Sequence, residues 1–173
     1  MLAYVLWHWP SQAAGYVDAL IGFHRALAAH PPAGFRGSRV LEVADAPWLP
    51  VARALEDWYF VDDFTALGVL NEAAVSGPRR APHDAAARLA ADGTAAVYRR
   101  LKEGARAPDR ASWFAKAAGM TYVDLAARLP EAELWQRQMI LGPAPEFCLL
   151  GASPPPEVAA VHLGYTAHLY RGG

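Results

Sequence analysis

The sequence predicts an α+β fold of two βαββαβ units, each an antiparallel four-stranded sheet with two helices on one face, packed sheet against sheet. Three observations predict it. The order strand, helix, strand, strand, helix, strand is legible twice along the chain. Three short segments recur in the same order in both halves: Tyr16-Val17-Asp18 as Tyr122-Val123-Asp124, Ala73-Ala74-Val75 as Ala159-Ala160-Val161, and Thr94-Ala95-x-x-Tyr98-Arg99 as Thr166-Ala167-x-x-Tyr170-Arg171. The strand segments are also apolar on both faces, Tyr4 and Leu6 against Val5 and Trp7, so the face that the helices leave open needs a cover of its own. A repeat this long is no solenoid unit; it fits one small fold duplicated and fused, a covalent version of a dimer. The units divide as residues 1–104 and 105–173, the second shorter, together forming one compact body.

In the first unit, the aromatic and branched run Leu2–Trp9 stops at Pro10 and reads as a strand. Ser11 is placed to cap a helix over Ala13–His30, where Tyr16, Leu20, Phe23 and Leu27 recur at helical spacing until Pro31-Pro32 ends the run. Phe35–Ala44 and Glu56–Val61 read as a strand hairpin. Asp62 or Asp63 then caps a helix toward Val75. A Pro-punctuated loop, Gly77–Pro82, leads to a helical piece over Asp84–Ala91 that Gly93 ends, and Thr94–Leu101 closes the unit as a strand.

Lys102–Arg110 is charged, holds Gly104 and Pro108, and reads as a linker. Ser112–Ala118 reads as a strand, Thr121 caps a helix to about Leu129, and Glu133–Leu141 and Glu146–Ala152 read as strands around Gly142-Pro143. Ser153-Pro154 is a helix-start signature, so a last helix is expected to Leu163, followed by a strand over Tyr165–Arg171.

Composition excludes several classes. With 173 residues, 54% of them hydrophobic and 19% charged, the chain can bury a substantial core and is neither disordered nor fibrous. A formal net charge of −1 supplies no field to attract nucleic acid or anionic lipid. Leu2–Trp7 is too short for a membrane span and lacks a basic flank, so no membrane association is expected and the default compartment is the cytoplasm. The single cysteine, Cys148, excludes an internal disulfide and a multi-cysteine zinc site.

The duplicated order of elements and the paired closing strands Thr94–Arg99 and Thr166–Arg171 resemble the dimeric α+β barrel superfamily, ferredoxin-like units whose sheets pair into a barrel, here fused in tandem. Phe23-His24-Arg25, His30-Pro31 and Phe35-Arg36-Gly37 further resemble the EthD-type members, in which helix 1 ends in a His-Pro turn before strand 2. The second half has Leu129-Pro130 there instead, so only one half could carry an activity of that turn. The superfamily includes cofactor-free monooxygenases, haem-binding chlorite dismutase and dye-decolourising peroxidase relatives, and muconolactone isomerase-like enzymes. The resemblance therefore implies a pocket between a sheet and its helices or inside the barrel, and selects no reaction.

His8 stands between Trp7 and Trp9 on the face of Tyr4 and Leu6, where an imidazole could shuttle protons or contact a ligand; the plainer reading is a half-buried histidine paired to backbone or water. His24 follows Val17 and Ile21 on the edge of the buried stripe and could look into a helix-sheet pocket, or simply be a satisfied core-edge residue. His24 and His30 lie about 600° apart around the helix and do not share a metal. His30 reads as a helix end, Asp62-Asp63 as a cap, and His83 as a solvated loop residue. Tyr98 and Tyr170 occupy matching places in the repeat. With His168, Lys116, Gln136 and Gln138 they could line a polar pocket, made aromatic by the six tryptophans, or merely fill a duplicated core.

No Gly-rich phosphate loop, nucleophile elbow, HExxH motif or catalytically spaced carboxylate pair is present. His162 is the formal candidate for a haem ligand but has few basic neighbours, so no metal and no cofactor is expected. The expectation is a small-molecule-binding barrel, of cofactor-independent monooxygenase or isomerase type if an enzyme. Its candidate catalytic residues are His8 and His24, with Tyr4, Trp58, Tyr98, Lys116 and His168 as ligand contacts. The alternative is a structural or interaction domain with a solid barrel, presenting Trp48 or Trp135 to a partner. The expected ligand is small and aromatic or apolar, and the oligomeric state either a monomer with pseudo-dimer symmetry or a homodimer.

Overall fold

The computed structural model describes residues 1–104, 109–139, 142 and 144–172. The strands are β1 (Leu2–Pro10), β2 (Phe35–Ala44), β3 (Arg53–Val61), β4 (Ala90–Lys102), β5 (Arg110–Phe114), β6 (Glu133–Gln138), β7 (Phe147–Leu150) and β8 (Ala160–Gly172). The helices are α1 (Tyr16–Ala29), α2 (Phe64–Ala74), α3 (Arg80–Ala87) and α4 (Tyr122–Arg128), with a short 3₁₀ turn, Gly77–Arg79, before α3. All eight strands close into one barrel with antiparallel pairing throughout. Around it the order is β4-β1-β3-β2, then β8-β5-β7-β6, back to β4. Closure removes the unpaired edges that an open sheet exposes. Among the described residues, no helix is long and apolar enough to cross a membrane.

Alternation along each strand sorts side chains into two layers. Ala3, Val5 and Trp7 of β1, Leu41 and Val43 of β2, Trp58 of β3 and Ala96 and Tyr98 of β4 point into the barrel, where they meet Trp113, Trp135, Cys148, Leu150 and Leu163 from the other strands. Four of the interior side chains, Trp7, Trp58, Trp113 and Trp135, are fully buried tryptophans, and their rings stack edge-on and tilted against one another at 5.4–6.3 Å. The barrel is a packed core.

The outer layer differs between the halves. Over β1–β4, α1 lays down Tyr16, Leu20, Phe23, His24 and Leu27, and α2 adds Ala66 and Leu70. Each large apolar side chain buried this way contributes about 1.5–3 kcal/mol. Over β5–β7 the cover is α4 with Leu125, the following Leu129, and a loop that inserts Val158 against Phe114, Phe147 and Leu149.

Several elements differ from the sequence expectation, each for a local reason. The segment from Ser153 is a turn instead of a helix, and Ala160 onward is strand. Three consecutive prolines, Pro154–Pro156, push the residues before them out of the helical region, while Val161, Leu163 and Tyr165 alternate with exposed His162 and Thr166. Helix α1 begins at Tyr16 with Gly15 at its N-cap in a left-handed conformation. Ser11 instead donates to the Leu89 carbonyl at 3.0 Å. Helix α3 starts earlier, at Arg80, with Pro82 in its first turn, where a missing N–H is harmless. Gly93 lies within β4 and ends no helix. A Cβ there would sit 2.8 Å from the Trp7 carbonyl oxygen and 3.0 Å from His8 Cβ, so only glycine lets β4 pass this close to β1. The caps at Asp63, which accepts from the Ala66 N–H at 2.9 Å, and at Thr121, which forms a capping box with Asp124, stand as expected. Residues 105–108 of the expected linker and 140–141 of the expected strand lie outside the described residues. Lys102 and Arg110, its ends, belong to β4 and β5.

Candidate functional site

Beyond Arg53 at its exposed start, strand β3 carries two charged residues, Glu56 and Asp57, which alternation places on opposite faces, and both are fully buried. Each organises a polar cluster. Glu56 points into the barrel, where Oε1 accepts from the Trp58 indole at 2.7 Å and the Tyr165 hydroxyl at 2.9 Å, and Oε2 accepts from Trp7 at 2.8 Å. Burial pushes this carboxyl up, and the three donors pull it partly back. Asp57 points outward beneath the helices.

Around Asp57 the register of β1 and β3 sets the geometry. His8 pairs with Leu55 across the strands, so Asp57 is its diagonal neighbour on the same face. His8 Nε2 lies 3.1 Å from Asp57 Oδ2, off the line of a good hydrogen bond. His24 comes down from α1 and donates through Nε2 to the same oxygen at 3.1 Å, while its Nδ1 accepts from Ser38 Oγ at 2.7 Å. The Tyr59 hydroxyl donates to Oδ2 at 2.9 Å, and its ring stacks on His24 at 4.9 Å. The Tyr16 hydroxyl, from the first turn of α1, meets His8 Nδ1. His8 presents Nε2 to the carboxylate side and Nδ1 to the phenol. The chain Asp57, His8, Tyr16 thus has the order of a carboxylate, an imidazole and a hydroxyl. Asp57 Oδ1 is buried without a partner among the described residues.

Burial alone would raise the Asp57 carboxyl, but the adjacent His8 and His24 outweigh it and hold Asp57 below the usual carboxylate range. It is an anion. Burial, then the Asp57 charge, pushes Tyr16 up to about 12 and Tyr59 and Tyr4 up as well. All three stay phenols at neutral pH.

This cluster forms one wall of a cavity of about 790 Å³ between the outer face of the β1–β3–β4 sheet and the three helices α1, α2 and α3. Tyr4, Leu6, His8, Asp57 and Tyr59 form the floor; Tyr16, Leu20 and Phe23 of α1, Leu67 and Gly68 of α2, and His83 and Ala86 of α3 form the sides. The volume suits a metabolite, and the lining is mostly apolar, with the Asp57 cluster on one wall and Asn71, His83 and Asp92 as further polar members.

Of the residues singled out in the sequence, the structure brings together Tyr4, His8 and His24. His24 is one layer behind the wall, fully buried, and meets the lining at Asp57 and Tyr59. Trp58 projects from the other face of β3 into the barrel. Tyr98 is there too, its hydroxyl donating to the Pro145 carbonyl at 2.9 Å. Lys116 lies in the second half, bonded to the Met120 carbonyl, and His168 is exposed on β8 beside Tyr165. None of these four reaches the cavity. His83 is no solvated loop residue: α3 turns it into the cavity, where it packs on the Phe23 ring at 5.4 Å. Trp135 is fully buried and presents no partner surface, while Trp48 is half-buried and packs on Trp7 and Trp113. His162 lies on β8 against Ser112 Oγ at 2.9 Å, not on a helix.

The sequence reading missed Asp57, Tyr16 and Tyr59 as a polar group. The available signal was Glu56-Asp57 itself, two acids side by side in a strand otherwise apolar after Arg53, because buried carboxylates occur almost only when paired. No cluster of three or more His, Cys, Asp or Glu side chains is arranged to hold a metal ion among the described residues. The sequence matches no protein-family model and no curated protein.

Proposed function

We propose that the protein binds a small aromatic or apolar molecule in the cavity of its first half and acts on it by proton transfer, in the manner of a cofactor-independent monooxygenase or isomerase. The observation that carries the reading is the Asp57–His8–Tyr16 arrangement on one wall of a mostly apolar cavity of about 790 Å³. His8, beside the Asp57 anion, can take a proton from a bound phenol, quinol or activated C–H, directly or through Tyr16. Returned to another carbon, that proton completes an isomerisation. An electron-rich quinol anion left in the cavity can instead pass an electron to dioxygen, the co-substrate of a monooxygenase-type reaction. His24, Ser38 and Tyr59 position Asp57 and keep its charge in place.

The finer fold assignment belongs with this reading. The repeated order 4-1-3-2 in both sets of four strands supports two fused ferredoxin-like units, 1–104 and 105–173, as in dimeric α+β barrels and their EthD-type members. Among the described residues, the second unit carries one α-helix where the first carries three, which favours a site in the first unit alone.

A second reading draws on the barrel interior, which is filled by tryptophan: a non-catalytic domain that offers a surface to a partner. Exposed Tyr122 and Val123 on α4 would be that surface.

Oxygen uptake with 1,4-dihydroxynaphthalene, and solvent deuterium incorporation into the bound quinol, separate these readings. Turnover by the wild type that falls at least 100-fold in His8→Gln supports the proposal. Turnover that His8→Gln and Tyr16→Phe leave unchanged overturns the site, and the absence of either reaction across a panel of phenols and quinols favours the binding domain.

A further inference from the structure

A second cavity, of about 400 Å³, opens at one end of the barrel where β2, β3, β4, β6 and β8 meet. Its chemistry is opposite to that of the first. Arg36, Arg39, Arg100 and Arg171 line it together with Glu103 and Glu133, beside the rings of Phe60 and Trp135. Two of the arginines are already matched: Arg36 forms a two-pronged pair with Asp62 at 2.6 Å, and Arg100 meets Glu103 at 2.6 Å. Glu133 accepts from the Trp135 indole at 2.7 Å.

Arg39 is different. It is 9% exposed, its guanidinium lies 4.2 Å over the Trp58 ring, and its Nε and Nη2 have no hydrogen-bond partner among the described residues. The buried Glu56 carboxyl, which feels the Arg39 charge, is hydrogen-bonded by Trp7, Trp58 and Tyr165 and leaves the Arg39 fork without a hydrogen-bond partner among the described residues. Arg39 also stands directly opposite Arg171 in the β2–β8 pairing, and cross-strand partners point to the same side of the sheet. Two like charges at such a position repel unless something between them carries the opposite charge. A buried, unpartnered fork beside a second cation over an aromatic floor is the donor set that recognises a planar or tetrahedral oxyanion.

We propose that this end of the barrel is a binding site for a small oxyanion, a carboxylate or phosphate group, held by Arg39 and Arg171. Two cations supply the charge, the guanidinium fork of Arg39 supplies two donors without a hydrogen-bond partner among the described residues, and Phe60 and Trp135 flank any planar body attached to the anion. The site is independent of the Asp57 cavity, because Arg39 and Trp58 point to the barrel side of the strands that carry Asp57 and Ser38 outward.

The test is calorimetric titration of the intact protein with inorganic phosphate and, separately, with benzoate, at fixed ionic strength set with chloride. Saturable binding of at least one of them is expected, weakened tenfold or more in Arg39→Lys, which keeps the charge but loses the fork, and in Arg171→Gln, which removes an exposed side chain without touching the core. Preference for phosphate or for benzoate identifies which oxyanion the site takes. Absence of saturable binding by both, or equal binding by wild type, Arg39→Lys and Arg171→Gln, overturns the proposal. Arg171→Gln keeps the test decisive if Arg39 variants lose their fold.

Discussion

His24 and Asp57, on α1 and β3, are both fully buried and meet at 3.1 Å, so the helix is pinned to the sheet by an imidazole and a carboxylate with no access to water. Removing His24 takes one donor from Asp57 and leaves it Tyr59 and the neighbouring His8. His24→Ala is therefore expected to cost about 1.5–3 kcal/mol, the worth of a hydrogen bond to a charged group. Asp57→Asn, which keeps the shape, is expected to cost less. Urea unfolding of the three proteins checks the order.

The same pair sets an acid limit on stability. The Asp57 carboxyl is held below its ordinary value in the folded protein, so between that ordinary value, about 4, and the lower folded one the unfolded chain binds the extra proton. The stabilisation is fully present above about pH 4 and is lost as pH falls further, at up to about 1.4 kcal/mol per pH unit for this one group. Unfolding free energies measured from pH 6 downward are expected to fall more steeply for the wild type than for Asp57→Asn. Parallel curves would remove Asp57 from the account.

Gly93 governs where His8 stands. A methyl group there meets the Trp7 carbonyl oxygen at 2.8 Å and His8 Cβ at 3.0 Å, and two paired strands have little room to separate. Gly93→Ala is expected to shift the His8 imidazole signals in an NMR spectrum and to lower any turnover more than it lowers stability. A spectrum unchanged at His8 would contradict this.

Much of the frame was legible in the sequence, because it rests on local signals. The stripe Tyr16, Leu20, Phe23 and Leu27, the Asp63 and Thr121 caps, and the alternation on β1 each follow from spacing alone. The last helix was not, because a Ser-Pro start signal competes with two further prolines and the prolines win. The site was half legible: His8 and His24 stand out in the chain, but only the β1–β3 register brings them to one carboxylate. Trp58 was misplaced for the same reason, since one step along β3 separates the cavity face from the barrel face.

Trp113 and Cys148 report on the barrel. Trp113 is fully buried among Trp7, Trp48, Trp58 and Tyr98, and Trp113→Ala is expected to cost about 3–5 kcal/mol. Burial also pushes the Cys148 thiol well above its ordinary value, so iodoacetamide is expected to label it only on unfolding. Labelling of the folded protein at the rate of a free thiol would contradict a solid interior.

The central claim is that the small molecule sits between the sheet and the helices of the first half, outside the barrel. Gly68, in the middle of α2, lines that cavity, and a Cβ added there meets nothing within 4 Å. Gly68→Ala is expected to stabilise the helix by about 0.5–1 kcal/mol, while Gly68→Leu places a branched side chain into the open space. Calorimetric titration with 2-naphthol is the most direct measurement. Saturable binding to the wild type and to Trp58→Phe, lost in Gly68→Leu, is the result the structure requires. Binding that survives in Gly68→Leu but fails in Trp58→Phe, or no saturable binding at all, would contradict it.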